Sequence, residues 1–186
     1  MKTNLLPSII LTTALLVLLM GIYPLTLWGI AQLAPNKGGG VIIESEKGKQ
    51  YTTIGQAFIA DHYFWSRPSA VDYDAAGSGA SNKATTSAAY LAEVEQRIAA
   101  FKAKNPTVQT AEIPVDLVTA SGSGLDPNIS VQAAYVQIAR IAQARSMTAK
   151  RLEQLVATHI QSPLLGVFGP QKINVLELNM ALDALE

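Results

Sequence analysis

The chain has no cysteine. Disulfides, thiolate metal sites and cysteine nucleophiles are therefore excluded together, while the redox compartment stays open. Histidine is nearly as scarce. His62 and His159 are the only two, far apart and without a ligand partner at short spacing, which argues against a histidine-based metal centre and leaves both as satisfied surface or boundary residues. No surplus of positive charge points to nucleic acid, because 14 Lys+Arg face 14 Asp+Glu. The most consequential absence is local. From Thr3 to Asn36 there is no Asp, Glu, Lys, Arg or His.

That uncharged stretch holds an apolar core from Ser8 to Ile30, longer than the about 20 residues a helix needs to cross a bilayer. A single such segment in lipid must be helical, since each backbone polar group has to be satisfied within it. Tyr23 and Trp28 mark its downstream end as the interfacial one, and Pro24 is expected to kink or end the regular helix. A cleaved secretory signal fits poorly, because the apolar run continues through Trp28 and Gly29-Ile30-Ala31 offers the only passable cleavage site. A pilin-like leader lacks its glycine and its acidic residue. Residues 1–36 thus read as a membrane anchor with a transmembrane core over 8–30, and residues 37–186 as one soluble domain of about 150 residues. Lys2 and the terminal amine precede the core, and Lys37, Lys47 and Lys49 follow it, so charge counting alone leaves the topology undecided.

Pro35 to Gly40 cannot hold a regular element and serves as the hinge. Val41–Ile43 and Tyr51–Ile54 are strand candidates. Between Gly55 and Ala70, the aromatics Phe58, Tyr63, Phe64 and Trp65 predict core, and Asp72 to Ser87 predicts a long loop. Ser87 is placed to cap a helix carrying Leu91, Val94, Ile98 and Phe101 on one face and ending near Asn105-Pro106. Val115 to Thr119 is a short strand candidate. Ser130 caps a second helix, with Val131, Tyr135, Ile138 and Ile141 on a common face, ending near Arg145. A third helix begins after Thr148 with Leu152, Leu155, Val156 and Ile160 inward, and Pro163 stops it. Asn174 and Glu177 have capping-box spacing ahead of Val175, Leu178, Leu182 and Leu185. There is no internal repeat. The expected fold is a single N-terminal transmembrane helix followed by one α/β (or α+β) domain with a small sheet and about four helices.

The stretch Ser121-Gly122-Ser123-Gly124, followed by Asp126-Pro127, lies between the expected strand and helix. Its glycines permit close backbone approach, and its N–H groups could hold an anion. It lacks the lysine of a phosphate loop, and serine rather than glycine at position 121 breaks the nucleophile-elbow pattern. A turn or docking loop is the plainer reading, with Asp126 closing the turn. Arg67, among the aromatics, is either a carboxylate-binding group or a structural cap on that cluster. Asp72, Asp74 and Asp116 form no acid–base or metal set by spacing. Arg140, Arg145 and Arg151 read as a solvated face. No catalytic constellation emerges.

Several strings together resemble one family. Ile54-Gly55-Gln56-x-Phe58, Tyr63-Phe64-x-x-Arg67-Pro68-Ser69-Ala70, the run from Pro114 through Asp116 and Ser121-Gly122-Ser123-Gly124 to Pro127, and Asn174-Val175-Leu176-Glu177-Leu178-Asn179 are similar to the C subunit of the Kdp potassium-transporting P-type ATPase, in order and over nearly the whole chain. The sequence departs from that pattern at Asn128, where the family often has His, at Ser146, where Gly is common, and at Ala84-Thr85-Thr86. The resemblance implies a bacterial cell (inner) membrane complex of a channel-like potassium-translocating subunit, an ATP-hydrolysing P-type subunit and a small membrane peptide. It makes this chain the single-pass accessory subunit with its C-terminal domain extracytoplasmic, supporting assembly and raising the ATP affinity of the hydrolysing subunit. ATP and potassium would be handled by the complex, with no cofactor, metal or catalytic residue assigned to this chain. A domain across the bilayer from the nucleotide could act only through long-range coupling. The phosphorylated aspartate motif of P-type chemistry is absent. Candidate docking residues are Ser121, Gly122, Ser123, Gly124 and Asp126, and candidate structural or contact residues are Arg67, Asp116 and Asn174. The alternatives are a membrane-tethered extracytoplasmic hydrolase using Ser121 or Ser123 and a tethered ligand-binding module.

Overall fold

A computed structural model describes residues 4–45 and 48–185. The uncharged stretch forms one helix, α1 (Leu5–Ala31), of 27 residues and mean hydropathy 2.4 with none of its hydrophobic window buried, long and apolar enough to cross a membrane. Two of its hydroxyls turn back onto the helix: Ser8 Oγ donates to the Leu5 carbonyl and Thr26 Oγ1 to that of Ile22, each at 2.8 Å. Pro24 does not end it. The preceding turn, Val17–Ile22, widens to π-helical geometry, and regular helix resumes from Tyr23. A wider turn relieves the contact a proline ring otherwise makes with the carbonyl four residues back.

Two compact units follow from the contacts, one through Tyr51 and one from Thr52. In the first, the hinge carries Asn36, Lys37, Gly38 and Gly40 at positive φ. Strands β1 (Ile42–Ser45) and β2 (Gly48–Tyr51) then pair antiparallel, with Ile42 opposite Tyr51. The second strand expected at Tyr51–Ile54 therefore lies earlier and ends at Tyr51.

In the second unit no helix or strand forms before Ser87. Helix α2 (Ala88–Lys104) buries Phe101 and half-buries Val94 and Ile98, while Leu91 is exposed. Ser87 occupies its N-cap by position only, without a side-chain cap bond. The strand expected over Val115–Thr119 is a 3-10 turn, Val115–Leu117. Pro114 gives no N–H to a ladder, and the Leu117 and Val118 N–H groups close back onto Pro114 and Val115. Strand β3 (Asn128–Ile129) leads into α3 (Val131–Tyr135), whose Ala133 N–H is accepted by Ser130 Oγ at 3.1 Å. A break at Val136–Gln137 separates it from α4 (Ile138–Arg145). The break rotates the expected face, so that Ala134, Ile138 and Ile141 are buried and Tyr135 is not. Helix α5 (Ala149–Thr158) buries Leu152, Leu155 and Val156. Strand β4 (Ile173–Asn174) pairs antiparallel with β3 and runs directly into α6 (Val175–Asp183). Among the described residues the sheet content is thus two separate two-stranded pairs. The core lies where α5 packs on α3, α4 and α6, closed by Phe64, Phe101, Ile129 and Ile173.

Ser146 ends α4 at φ 53, in the left-handed region. Met147 N–H bonds the Ala142 carbonyl at 3.0 Å and Ser146 N–H that of Gln143 at 3.4 Å, the bond pattern that favours glycine at this position. Ser146→Gly should stabilise the full-length chain by about 0.5–1 kcal/mol, read as a rise of a few degrees in thermal unfolding.

Candidate functional site

The aromatic segment packs on the core through buried Phe64 and half-buried Phe58, Tyr63 and Trp65 without regular structure, so its covered backbone polar groups need partners from elsewhere. Helix side chains supply them. Asn179 on α6, 1 % exposed, accepts Phe64 N–H and donates to the Phe64 carbonyl, both at 2.9 Å. Gln137, fully buried, accepts Trp65 N–H at 2.7 Å. Arg140 on α4 donates to the carbonyls of Asp61 and Tyr63, to Gln137 Oε1 at 2.8 Å and to Asn105 Oδ1 at 3.3 Å, and its guanidinium lies 4.1 Å from the Trp65 ring centre. Burial pushes that guanidinium down to about 10, with Asp61 acting the opposite way, so it stays charged at neutral pH. Arg145 donates to the His62 carbonyl at 2.8 Å and to Asp183 at 2.5 Å, and lies over the Tyr63 ring. The solvated-face reading is therefore corrected for Arg140, which is buried, and for Arg145, a half-buried residue whose side chain is covered. Arg151 is exposed as expected and donates to the Leu185 carbonyl at 2.8 Å. Polar residues at helix spacing give no signal of whether they face water or an irregular segment that needs donors.

Arg67 does not cap the aromatics. It reaches Asp126 at 2.9 Å, with its Nε buried and without a hydrogen-bond partner among the described residues. The other Asp126 oxygen accepts Asn128 N–H at 3.0 Å and its side-chain amide at 3.2 Å, which closes the turn at Pro127. Asp116 accepts from Ser130 N–H at 2.7 Å and Ser130 Oγ at 3.0 Å. It ties the 3-10 turn to the cap of α3. These three residues line one cleft of about 570 Å³, together with Val115, Asn128 and Lys172. Asn174 lies elsewhere. Its amide donates to the Thr52 carbonyl at 2.7 Å and its Oδ1 accepts Glu177 N–H at 3.2 Å.

The Ser121–Gly124 stretch is fastened along its length rather than left open. Ser121 is buried and its N–H reaches the Pro68 carbonyl at 3.3 Å. The Ser123 carbonyl accepts Gly79 N–H at 2.8 Å and Ser78 Oγ at 3.0 Å. Ser123 Oγ accepts Leu125 N–H at 3.0 Å, and Ser69 Oγ donates to the Gly124 carbonyl at 2.7 Å. On the far side, Gly55 N–H meets the Leu125 carbonyl at 2.7 Å. Only Gly122 and Ser123 face solvent as residues. The arrangement is a clasp holding Gly55, Pro68, Ser69, Ser78 and Gly79 to the loop, with most of the bonds made by backbone groups of residues 121–125.

Neither histidine joins this clasp. His159 Nδ1 lies 2.8 Å from the Leu155 carbonyl, and His62 packs on Tyr63 beside a second depression with Arg145, Ser146 and Asp183. Among the described residues no cluster of three or more His, Asp or Glu could hold a metal ion. The cleft holds one ion pair, Arg67 with Asp126, beside Asp116 and Lys172.

Comparison with known proteins assigns the chain to a family. The model for "KdpC: K+-transporting ATPase, c chain" matches residues 5–184. Among curated relatives, the potassium-transporting ATPase KdpC subunit of Flavobacterium psychrophilum is 51 % identical, with 95 % of each chain covered. That of Flavobacterium johnsoniae is 50 % identical over 98 % of this chain and 99 % of its own, and that of Bacteroides thetaiotaomicron is 46 % identical over 98 % of both. With matches of this length and identity enclosing the apolar helix, the clasp and the cleft alike, the chain belongs to the KdpC family.

Proposed function

We propose that this chain is a non-catalytic accessory subunit of an ATP-driven potassium uptake complex in the bacterial cell membrane. Residues 1–36 anchor it as a single span, and residues 37–186 work on the extracytoplasmic side. Its partners are a channel-like potassium-translocating subunit, an ATP-hydrolysing subunit and a small membrane peptide. The carrying observation is that the family likeness runs through both the apolar helix and the domain. The commitment of the Ser121 and Ser123 region to intramolecular hydrogen bonds supports a contact role over hydrolysis. In this reading the solvent-facing edge of the clasp, with Arg67, Asp116 and Asp126 behind it, docks a partner, and any influence on ATP affinity travels through the assembled complex.

The test is copurification of the tagged full-length chain in detergent, followed by a potassium-stimulated ATPase assay with and without it. Two larger membrane proteins should accompany the chain, and activity at subsaturating ATP should fall when it is left out. Substrate turnover by the chain alone would overturn the reading. The cleft itself favours one second reading, a tethered solute-binding module, and that reading predicts ligand-induced thermal stabilisation of the chain without partners.

A further inference from the structure

Between α5 and β4 the chain forms a small ribbon, with Gln161 bridged to Lys172 and Leu164 to Phe168. Its tip is built almost wholly of large apolar side chains in water: Leu164 is 71 % exposed, Leu165 82 %, Val167 76 % and Phe168 65 %. Scattered exposed apolar residues are ordinary, but four within five positions are not. Leu165 and Gly166 both take positive φ to make the turn, which aims these side chains away from the core instead of folding them under it. Nothing in the domain's own packing accounts for them.

We infer that this turn dips into the headgroup–acyl boundary of a lipid bilayer and forms a second, reversible membrane contact in addition to α1. Three observations select lipid over a protein partner. The turn is convex and closes its own backbone: the N–H groups of Leu164, Gly166, Val167 and Phe168 are all accepted by carbonyls of Pro163, Leu164 or Phe168, which leaves few donors to be stripped of water in an apolar medium. From Gln154 to Leu176 the only formal charge at neutral pH is that of Lys172; the Glu177 carboxylate lies at the base of the ribbon, where it accepts Gln161 Nε2 at 3.1 Å, and the tip itself carries no carboxylate. The chain also carries α1, so a bilayer holding that helix is never far from the domain, and a weak insertion suffices at the resulting effective concentration. The inference rests on α1 being a membrane span, as proposed above.

Because the native chain lacks cysteine, single cysteines report unambiguously. Leu165→Cys, Val167→Cys, Leu18→Cys and Glu153→Cys are nitroxide-labelled in the full-length chain. Each is reconstituted in nanodiscs of phosphatidylethanolamine and phosphatidylglycerol, and collision with oxygen is compared with collision with a water-soluble nickel chelate. The expected result is a several-fold higher oxygen-to-nickel ratio at 165 and 167 than at 153, approaching that at 18. A ratio at both tip positions equal to that at 153, with 18 still lipid-like, overturns the inference while leaving the anchor reading intact. A water-like ratio at 18 overturns the anchor reading and the inference with it. Protection from both reagents at 165 and 167, alone or on assembly with the larger subunits, identifies a protein contact and also overturns the inference.

Discussion

Arg140→Leu in the full-length chain lowers unfolding stability by about 3–5 kcal/mol, the range for removing one member of a buried charged network. The leucine fills much of the volume but leaves the Asp61 and Tyr63 carbonyls, the Asn105 Oδ1 and one bond to Gln137 without their donor. Each buried acceptor so orphaned costs about 1–3 kcal/mol less whatever relaxation recovers, and the cation–π contact with Trp65 goes too. Arg140→Lys recovers less than half of the loss, because one ammonium cannot serve acceptors fanned around a planar fork. Thermal or denaturant unfolding in detergent, followed by near-UV circular dichroism, measures both. A loss below about 1 kcal/mol for the leucine variant would mean that the irregular aromatic segment is held by packing alone.

The second large effect is at the clasp. A Cβ on Gly124 would stand 2.6 Å from Val71 Cγ2 and 2.8 Å from the Gly79 carbonyl oxygen, at a φ of +70. Backbone cannot step aside cheaply, so Gly124→Ala combines a left-handed penalty with overpacking, about 2–4 kcal/mol together. Gly122→Ala, two residues earlier in the same loop, meets nothing within 4 Å and should change stability by less than about 0.5 kcal/mol. The contrast separates a loop whose glycines are generically flexible from one in which a single glycine permits close approach. If both substitutions are equally mild in thermal unfolding, the clasp is not a tight joint. Where the clasp also forms the docking edge, Gly124→Ala should weaken recovery of the larger subunits at temperatures at which the variant is still folded.

The helical part of the domain was legible because amphipathic spacing and caps are local properties. The end of α2 before Pro106, the Ser130 cap, the inward Leu152, Leu155 and Val156, and the Asn174 cap on α6 lie where the sequence places them. The sequence singled out Arg67, Asp116 and Asp126 without relating them to one another, and nothing in it marks Ser121–Gly124 and Asn174 as standing apart from the cleft those three line. Arg67, Asp116 and Asp126 meet at one cleft, yet the pairing of Arg67 with Asp126 spans 59 positions, and no spacing rule predicts such a pair. Val115–Leu117 misleads in the other direction, since β-branched and apolar residues read as a strand wherever no neighbouring strand is known to be missing.

By itself the amino-acid order determined the apolar stretch, the absence of thiol chemistry, most helix-forming segments and, through its unusual strings, the family. Tertiary structure decided which polar residues face inward. Gln137, Arg140, Arg145 and Asn179 look like ordinary helix-surface residues until an irregular chain segment is laid across them, because the unmet backbone groups they serve belong to residues that lie far away in sequence.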